Sequence, residues 1–114
     1  MKKTCPIEKI EQNNFIKWCK KNKIFVYHVN NGVKSNRGMQ FKQSGVVPGI
    51  PDLQLVLKDG KVLWIEMKRQ FGSSTSQKQK AVHEQLRALG HDVFICKGCN
   101  DAILTTMRYL GNDE

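Results

Sequence analysis

PGIPD at residues 48–52, together with EMK at residues 66–68, decides the fold of this chain. Two apolar segments lie between these stretches, on either side of a turn at residues 58–60 (KDG). This pattern is typical of a β-hairpin, with one acid where its first strand begins and an acid and a base where its second strand ends. The sequence therefore predicts a hairpin that carries two carboxylates and a lysine at one end.

The register of this hairpin follows from its hydrophobic pattern. A two-residue turn would mix apolar and charged side chains on one face, because a one-residue slip reverses every side chain. A three-residue loop at residues 58–60, with Gly60 in the left-handed conformation, separates them. This register places Asp52 opposite Glu66, with Lys68 next along the same face. The other face then becomes almost wholly apolar and consists of Leu53, Leu55, Leu57, Leu63, Ile65 and Met67.

The facing acids indicate a metal site. Two neighbouring carboxylates repel each other unless a positive charge lies between them. Oxygen ligands of this kind suit Mg²⁺ or Mn²⁺ and not Zn²⁺. The structural alternative is that Asp52 ends a turn and that Glu66 and Lys68 form a charge pair on an edge strand, which is the usual meaning of an isolated E-x-K. The Pro-Asp step, the hairpin spacing and the segregated register together favour the metal site.

Length and charge limit the class of protein. The 114-residue chain has the length of a single domain, residues 1–114, and its formal net charge is +9. So basic a chain suits a polyanionic partner, most simply nucleic acid, although a soluble basic protein without such a partner would have the same charge. No apolar run approaches the ~20 residues of a membrane span, and the N-terminal MKK begins no secretory signal. We therefore expect a cytoplasmic protein without a membrane partner.

Four cysteines raise the question of a second metal site. Cys96 and Cys99 have the spacing of half a zinc finger, but no second close Cys/His pair completes a zinc site. Cys19 and Cys96 stand among apolar residues, as small buried hydrophobic side chains do. Reduced thiols are therefore the expected state.

The first helical segment carries two acids that could face inward. Its periodicity predicts a helix from Ile7 to about Lys21, with Pro6 suited to a first helical position. Glu11 lies inside the apolar arc of this helix and Glu8 lies at the edge of the arc. The alternative for each is a solvated helix acid, which the positive helix N-terminus would favour at Glu8. Periodicity alone does not choose between the two acids.

A strand and a basic loop follow. The strand is predicted over residues 24–29, and a turn follows at residues 30–32. His28 in this strand is either a structural residue or, beside a basic loop, a phosphate contact. Residues 33–47 contain no acid, which favours contacts to a nucleic-acid backbone over a solvated loop. The candidate contact residues in this loop are Lys34, Arg37 and Lys42.

Two helices and a strand complete the chain. The capping-box pattern Ser76-x-x-Gln79 opens a second helix that ends at Gly90. A strand over residues 91–96 and a helix over residues 101–110 follow. Because the second helix stands between two strands, it permits a parallel crossover, and the sheet is predicted to be mixed. Asn100 is the expected N-cap of the last helix. The apolar stripe of the second helix is expected to cover the apolar face of the hairpin, and consists of Val82, Leu86 and Leu89.

Taken in order, these motifs resemble the PD-(D/E)xK nuclease signature, and more closely the small stand-alone VRR-NUC nucleases of phages and bacteria. The resemblance extends over residues 8–110 and rests first on residues 45–52 and 66–68. Its supporting matches are Glu8-x-x-x-Gln12 with Ile16, Trp18 and Cys19, then His28-x-x-Asn31-Gly32, then Ser76-x-x-Gln79.

The resemblance implies an α/β fold with a restriction-endonuclease-like αβββαβ core, in which helices flank a mixed central sheet. It also implies a phosphodiesterase that depends on Mg²⁺ or Mn²⁺, in which Lys68 orients or activates the attacking water and stabilises the developing negative charge. Gln79 matches the helix position beside this lysine. The acid of the first helix would be Glu8, since Gln12 follows it at the family spacing. The implied metal ligands are Glu8, Asp52, Glu66 and the backbone carbonyl of Met67.

The resemblance further implies a homodimer that acts on DNA, with a tendency towards branched forms such as four-way (Holliday) junctions. It implies the cytosol of a bacterium or of a phage-infected host. Asn31, which lies in the matched motif with His28, joins His28 among the candidate DNA contacts. Two other hypotheses remain. A non-catalytic nucleic-acid-binding domain with the same fold would not need the four intact polar residues of the motif. A restriction-type nuclease would need more room for sequence recognition than this short chain offers.

Overall fold

The computed structural model describes residues 4–29 and 45–111. The helices and strands are α1 (Glu8–Lys21), β1 (Phe25–His28), β2 (Leu53–Val56), β3 (Val62–Lys68), α2 (Gln77–Ala88), β4 (Asp92–Lys97) and α3 (Cys99–Gly111), with a 3₁₀ turn at Lys58–Gly60. The predicted αβββαβ order is confirmed, and α3 follows it. Asn31 and the loop cations Lys34, Arg37 and Lys42 lie outside the described residues.

The strands form one mixed sheet in the order β1-β2-β3-β4. β1 pairs with β2 and β2 pairs with β3 in antiparallel fashion, whereas β4 runs parallel to β3. α2 is the connection between these two parallel strands, as the alternation of strand and helix predicts. In the described parts of the chain, no helix is both long enough and apolar enough to cross a membrane.

The hairpin has the register predicted from its hydrophobic pattern. Gln54 pairs with Trp64, and Val56 pairs with Val62. Gly60 has φ +74° in the connecting turn, as expected for the left-handed position. This register sends alternate side chains to opposite faces of the sheet without a break from one strand to the next.

The apolar face of the hairpin forms the core of the protein. Phe15 and Cys19 of α1 and Ala102 of α3 pack against this face. The hairpin contributes Leu53, Leu55, Leu63, Ile65 and Met67, all with no exposed surface. α1 and α3 therefore cover one face of the sheet, and the charged side chains of β3 point to the other.

α2 lies on the charged face, and the prediction that it covers the apolar face is wrong. Gln79 and His83 of this helix approach Glu66, which points away from the core. Leu89, assigned to the apolar stripe, is 77% exposed. An apolar stripe shows which side of a helix is buried, but not which face of a sheet buries it. The apolar face is already occupied by the two other helices.

The helix starts show which capping predictions hold. Ser76 accepts a hydrogen bond from the Gln79 N–H at 3.1 Å, and the Gln79 side chain accepts one from the Ser76 N–H at 3.0 Å, so the predicted capping box is confirmed. Pro6 precedes the N-cap Ile7 and is not the first helical residue. Asn100 lies inside α3 and is not its N-cap.

One side chain from α1 and one from α3 itself accept backbone N–H groups around the start of α3, in place of an Asn100 cap. The Cys99 N–H donates to Glu11 Oε1 at 3.1 Å, and the Lys97 N–H donates to Asp101 Oδ2 at 2.8 Å. A helix N-terminus needs acceptors for its first N–H groups, and a distant carboxylate serves as well as a local cap. Local sequence therefore identified the right region but the wrong capping residue.

The cysteines carry no disulfide, and all four are free thiols. Cys19 and Cys96 are fully buried in the core, as their apolar neighbours predict. Burial raises the pKa of Cys19 to about 12 and that of Cys96 to about 11. Thiols of this kind behave as structural side chains, because the reactive thiolate is disfavoured.

Candidate active site

Asp52 is held in place by the strands on both sides of it. Its backbone carbonyl accepts a hydrogen bond from the Val29 N–H at 2.7 Å. Its side-chain Oδ2 accepts one from the Met67 N–H at 2.9 Å. The residue is only 6% exposed. The acid of the Pro-Asp step is therefore a fixed, buried carboxylate and not a solvated turn residue.

Three acids from distant parts of the chain meet at this end of the sheet. Glu8 is the first residue of α1, Asp52 immediately precedes β2, and Glu66 lies near the end of β3. One carboxylate oxygen from each lies within 4.8 Å of the other two. Asp52 and Glu66 are buried and Glu8 is half-buried. The structure thus brings together the three side chains that the sequence motifs singled out as metal ligands.

The electrostatics of this acid cluster favour a bound cation. Burial raises the pKa of Glu66, and the adjacent Asp52 raises it further through its charge and a shared hydrogen bond, while Lys68 opposes the shift. Burial and Asp52 also raise the pKa of Glu8. A divalent cation between these acids would favour the ionised forms of Glu8 and Glu66. An all-oxygen donor set fits Mg²⁺ or Mn²⁺, so the residues present suit the metal that the sequence implies.

The backbone of Met67 is turned towards the acid cluster. Its N–H donates to Asp52, on the β2 side of the strand, whereas the next carbonyl, that of Lys68, accepts from the Gly98 N–H on the opposite side. The N–H and C=O of one strand residue point to the same side. The Met67 carbonyl therefore points to the Asp52 side, where the prediction of a backbone ligand requires it.

Lys68 and Gln79 complete the polar site on the charged face of the sheet. Lys68 Nζ donates to Gln79 Oε1 at 3.1 Å, and Gln79 Nε2 donates to Glu66 Oε2 at 3.0 Å. Lys68 Nζ lies 3.8 Å from the same Glu66 oxygen. Gln79 Oε1 is also the acceptor in the capping box of α2. One side chain therefore starts a helix and orients both charged groups of the E-x-K motif.

Gly49 sets the distance between the PGIPD loop and α2. Its φ is +91°, and a Cβ at this position would lie 2.8 Å from the backbone oxygen of Lys78. Real Cβ atoms do not approach a backbone oxygen so closely, so only glycine fits here. The loop that ends at Asp52 can therefore pack directly on the first turn of α2, which carries Gln79.

Both acids of α1 that could face inward do so, but only one joins the acid cluster. Glu11 is 4% exposed and lies away from it. Its Oε1 accepts from the Cys99 N–H at 3.1 Å, and its Oε2 accepts from Gln70 Nε2 at 2.9 Å. Glu11 therefore links α1 to the start of α3, whereas Glu8 lies beside Asp52.

His28 does not join the acid cluster. It is exposed at the end of β1 and pairs with Leu53. Paired strand residues point to the same face, so His28 lies on the face opposite to Glu66. Its role as a DNA contact stays a prediction.

Sequence reasoning missed His83, a residue of α2 that is only 1% exposed and lies on the side of the helix that faces the sheet. Its Nε2 lies 3.7 Å from Glu66 Oε1. Burial lowers the pKa of His83, and the nearby charges of Arg87 and Lys68 lower it further. The signal that could have found it is its spacing from Gln79, because residues four apart lie on the same side of a helix.

Comparison with solved structures identifies the architecture. Neither a family model nor a curated protein matches the sequence. A solved structure described as "VRR_NUC domain protein" superposes with a TM-score of 0.77, covering 95% of this chain and 91% of that chain at 24% identity. The fold is that of a VRR_NUC domain. A second structure, described as "VRR_NUC domain", matches with a TM-score of 0.65 at 20% identity, covering 90% of this chain and 96% of that one.

The VRR_NUC fold extends over nearly the whole chain, and it agrees with the architecture that the sequence motifs imply. Function, however, depends on the site that a fold carries and not on the fold alone. In this VRR_NUC fold, the polar site is assembled from Glu8, Asp52, Glu66, Lys68 and Gln79.

Proposed function

We propose that this protein is a divalent-metal-dependent nuclease that hydrolyses phosphodiester bonds in DNA. The observation that carries the proposal is the convergence of Glu8, Asp52 and Glu66, whose oxygens lie within 4.8 Å of one another, beside a buried lysine. A carboxylate set of this kind with an adjacent fixed cation is suited to phosphoryl chemistry, in which charge accumulates on oxygen. The VRR_NUC fold supports the same conclusion.

The three carboxylates and the Met67 carbonyl are the groups that would hold the metal. When bound, Mg²⁺ or Mn²⁺ would polarise the phosphate and lower the pKa of a coordinated water. Asp52 is suited to this role because the Met67 N–H occupies one of its oxygens and fixes the carboxylate. Gln79 fixes Glu66 in the same way. Ligands held by such hydrogen bonds need little rearrangement when a metal binds.

Lys68 would supply the fixed positive charge. Its side chain is largely buried, and its Nζ donates to Gln79 at 3.1 Å. A cation positioned before the substrate arrives orients the attacking water and stabilises the developing negative charge without further reorganisation. Gln79 is the residue that positions it, because its amide contacts both Lys68 and Glu66.

The DNA path is proposed from charge. Lys78 and Lys80 are exposed on either side of Gln79, and Lys97 pairs with Lys68 across β3 and β4. These cations neighbour Gln79 and Lys68 along the helix and across the sheet, and they suit contacts to backbone phosphates. We further propose that Arg37 and the loop lysines contribute to the same path. A homodimer acting on branched DNA in the cytosol of a bacterium or of a phage-infected host is the finer form of this proposal.

The decisive experiment combines variants with a panel of DNA substrates. Labelled single-stranded, duplex, flap and four-way-junction DNA would be incubated with the purified protein in Mg²⁺, Mn²⁺ or EDTA. We expect cleavage only with metal, and its loss in Asp52→Asn, Glu66→Gln and Lys68→Ala. Glu84→Gln, an exposed change on the same helix as Gln79, is the matched control and should retain cleavage.

The outcomes separate the hypotheses. Cleavage in EDTA, or undiminished cleavage by Asp52→Asn, would reject the metal mechanism. Salt-dependent DNA binding without cleavage in any metal would favour the non-catalytic DNA-binding domain. Preference for the four-way junction over duplex DNA would support the finer proposal, and cleavage at a fixed duplex sequence would support a restriction-type nuclease.

A further inference from the structure

The two oxygens of Glu66 have unequal surroundings. Oε2 accepts a hydrogen bond from Gln79 at 3.0 Å. Oε1 faces His83 Nε2 at 3.7 Å, and in the described parts of the chain neither of these atoms has a hydrogen-bond partner. Both residues are 1% exposed. Buried polar atoms are normally paired, so two unpaired atoms that face each other indicate a contact with a purpose beyond packing.

The position of His83 is fixed by the same helix that places Gln79. Gln79 and His83 are four positions apart in α2, so their side chains lie one turn apart on the same side of the helix. The capping box at Ser76 fixes the first turn of this helix, including the Gln79 side chain. His83, one turn later, therefore approaches Glu66 from a rigid element and not from a loop.

From this geometry we infer that His83 is a positioning residue for Glu66, with its Nε2–H directed at Oε1 while Gln79 holds Oε2. This inference rests on the proposed metal-dependent function. The present separation is slightly longer than an N–H···O hydrogen bond, so a small adjustment brings the pair into contact. A carboxylate held at both oxygens from one helix cannot rotate. Each oxygen keeps a second lone pair, which remains for a metal ion.

His83 acts through Glu66 and is not itself one of the clustered ligands. The group of side chains whose ligand atoms lie within 4.8 Å of one another consists, among the described residues, of Glu8, Asp52 and Glu66. An imidazole is also a poorer partner than oxygen for Mg²⁺. Removal of a group that orients a ligating carboxylate typically lowers metal affinity or activity by roughly 10- to 100-fold. The effect of His83 should therefore appear in metal binding.

The test measures Mn²⁺ binding directly, by calorimetry and by the metal-induced shift in melting temperature. His83→Leu removes the donor and His83→Gln keeps an amide near the Nε2 position. We expect Mn²⁺ affinity to fall roughly tenfold or more in His83→Leu and to be largely restored in His83→Gln. Val82→Ala, a buried change on the same helix, is the control for lost packing and should bind Mn²⁺ like the wild type.

The outcomes distinguish this inference from the proposed function. Equal Mn²⁺ affinity in the wild type and His83→Leu would overturn the role of His83 alone. A wild-type protein that binds no Mn²⁺ would overturn both. If His83→Leu does not fold, His83→Gln and His83→Asn are compared, because only the longer glutamine amide reaches the Nε2 position. Equal affinities in that pair would also overturn the inference.

Discussion

The backbone N–H of Met67 donates a hydrogen bond to Oδ2 of Asp52 at 2.9 Å. This contact joins the acid of the Pro-Asp step to the middle residue of the E-x-K stretch. It can form only in the hairpin register that sets Asp52 beside Glu66, because a slip of one residue would turn the Asp52 side chain to the other face. The two sequence motifs are therefore one structural unit, and several consequences of that unit can be measured.

Asp52→Asn should stabilise the metal-free protein. The variant keeps an acceptor for the Met67 N–H but removes a negative charge from the acid cluster. We expect a gain on the order of 1 kcal/mol in the free energy of unfolding. Mn²⁺ should then stabilise the wild type by mass action and the variant much less. Melting curves with Mn²⁺ and with EDTA measure both effects.

The matched control for this change is Asp59→Asn, which removes an exposed acid from the hairpin turn. Asparagine tolerates the left-handed conformation that Asp59 adopts with φ 61°. The Mn²⁺ response of this control should equal that of the wild type. An equal metal response in Asp52→Asn would show that Asp52 is not a ligand.

The metal-free protein should lose stability as the pH rises from the acid range to neutrality. The raised pKa of Glu66, due first to burial and then to Asp52, means that the native state holds this proton more tightly than the unfolded chain. The stabilisation is complete below the ordinary pKa of 4.5 and is lost as the pH approaches the raised pKa. Urea unfolding in EDTA at several pH values measures this slope.

Glu66→Gln isolates the contribution of Glu66 to that slope. The variant cannot ionise at this position, so the difference in unfolding free energy between the variant and the wild type should grow with pH. A difference that stays constant across the range would contradict the raised pKa.

Glu8→Gln and Glu11→Gln should separate metal binding from stability. Glu8 lies in the acid cluster, so its variant should lose most of the Mn²⁺ response while the fold stays intact. Glu11 accepts from the Cys99 N–H and from Gln70, and an amide turns a donor towards one of them. The cost should be about 1–3 kcal/mol. Thermal unfolding of both variants with and without Mn²⁺ tests these two roles. They would be excluded if Glu11→Gln lost the Mn²⁺ response and Glu8→Gln kept it.

Gly49→Ala should disturb the site, whereas Gly45→Ala should not. Both glycines have positive φ, so both variants pay a similar backbone cost. Only the Cβ at position 49 meets a backbone atom, the Lys78 oxygen at 2.8 Å, whereas position 45 has nothing within 4 Å. Gly49→Ala should therefore lose more stability and more Mn²⁺ affinity than Gly45→Ala. Equal losses would mean that the loop does not position α2.

DNA binding should depend steeply on salt if the basic loop lies on the DNA path. Each phosphate neutralised contributes about 0.9 to the slope of log affinity against log salt, so Arg37→Ala with Lys42→Ala should lower that slope by up to roughly 2. Lys23→Ala with Lys58→Ala, at the opposite end of the sheet from the acid cluster, is the control. An unchanged slope in the loop variant would place the loop off the path.

The sequence by itself determined the features that depend on neighbours along the chain. Strict alternation fixed the hairpin register, and with it the adjacency of Asp52 and Glu66, because a slip would bury charges and expose leucines. Ser76 and Gln79 predicted the start of α2, since both bonds of a capping box lie within one turn. Local geometry sets these features, and they could be worked out residue by residue.

Only the tertiary structure decided the features that depend on distant segments. Periodicity left Glu8 and Glu11 equivalent, and the family resemblance favoured Glu8 without showing what surrounds either acid. In the fold, Glu8 meets Asp52 and Glu11 meets the start of α3. The same is true of α2, whose stripe could not show which face of the sheet was free. His83 became visible only when α2 lay on the charged face, where a helix residue and a strand residue far apart in sequence came into contact. These contacts depend on which helix covers which face of the sheet. No single segment of the sequence specifies that distribution.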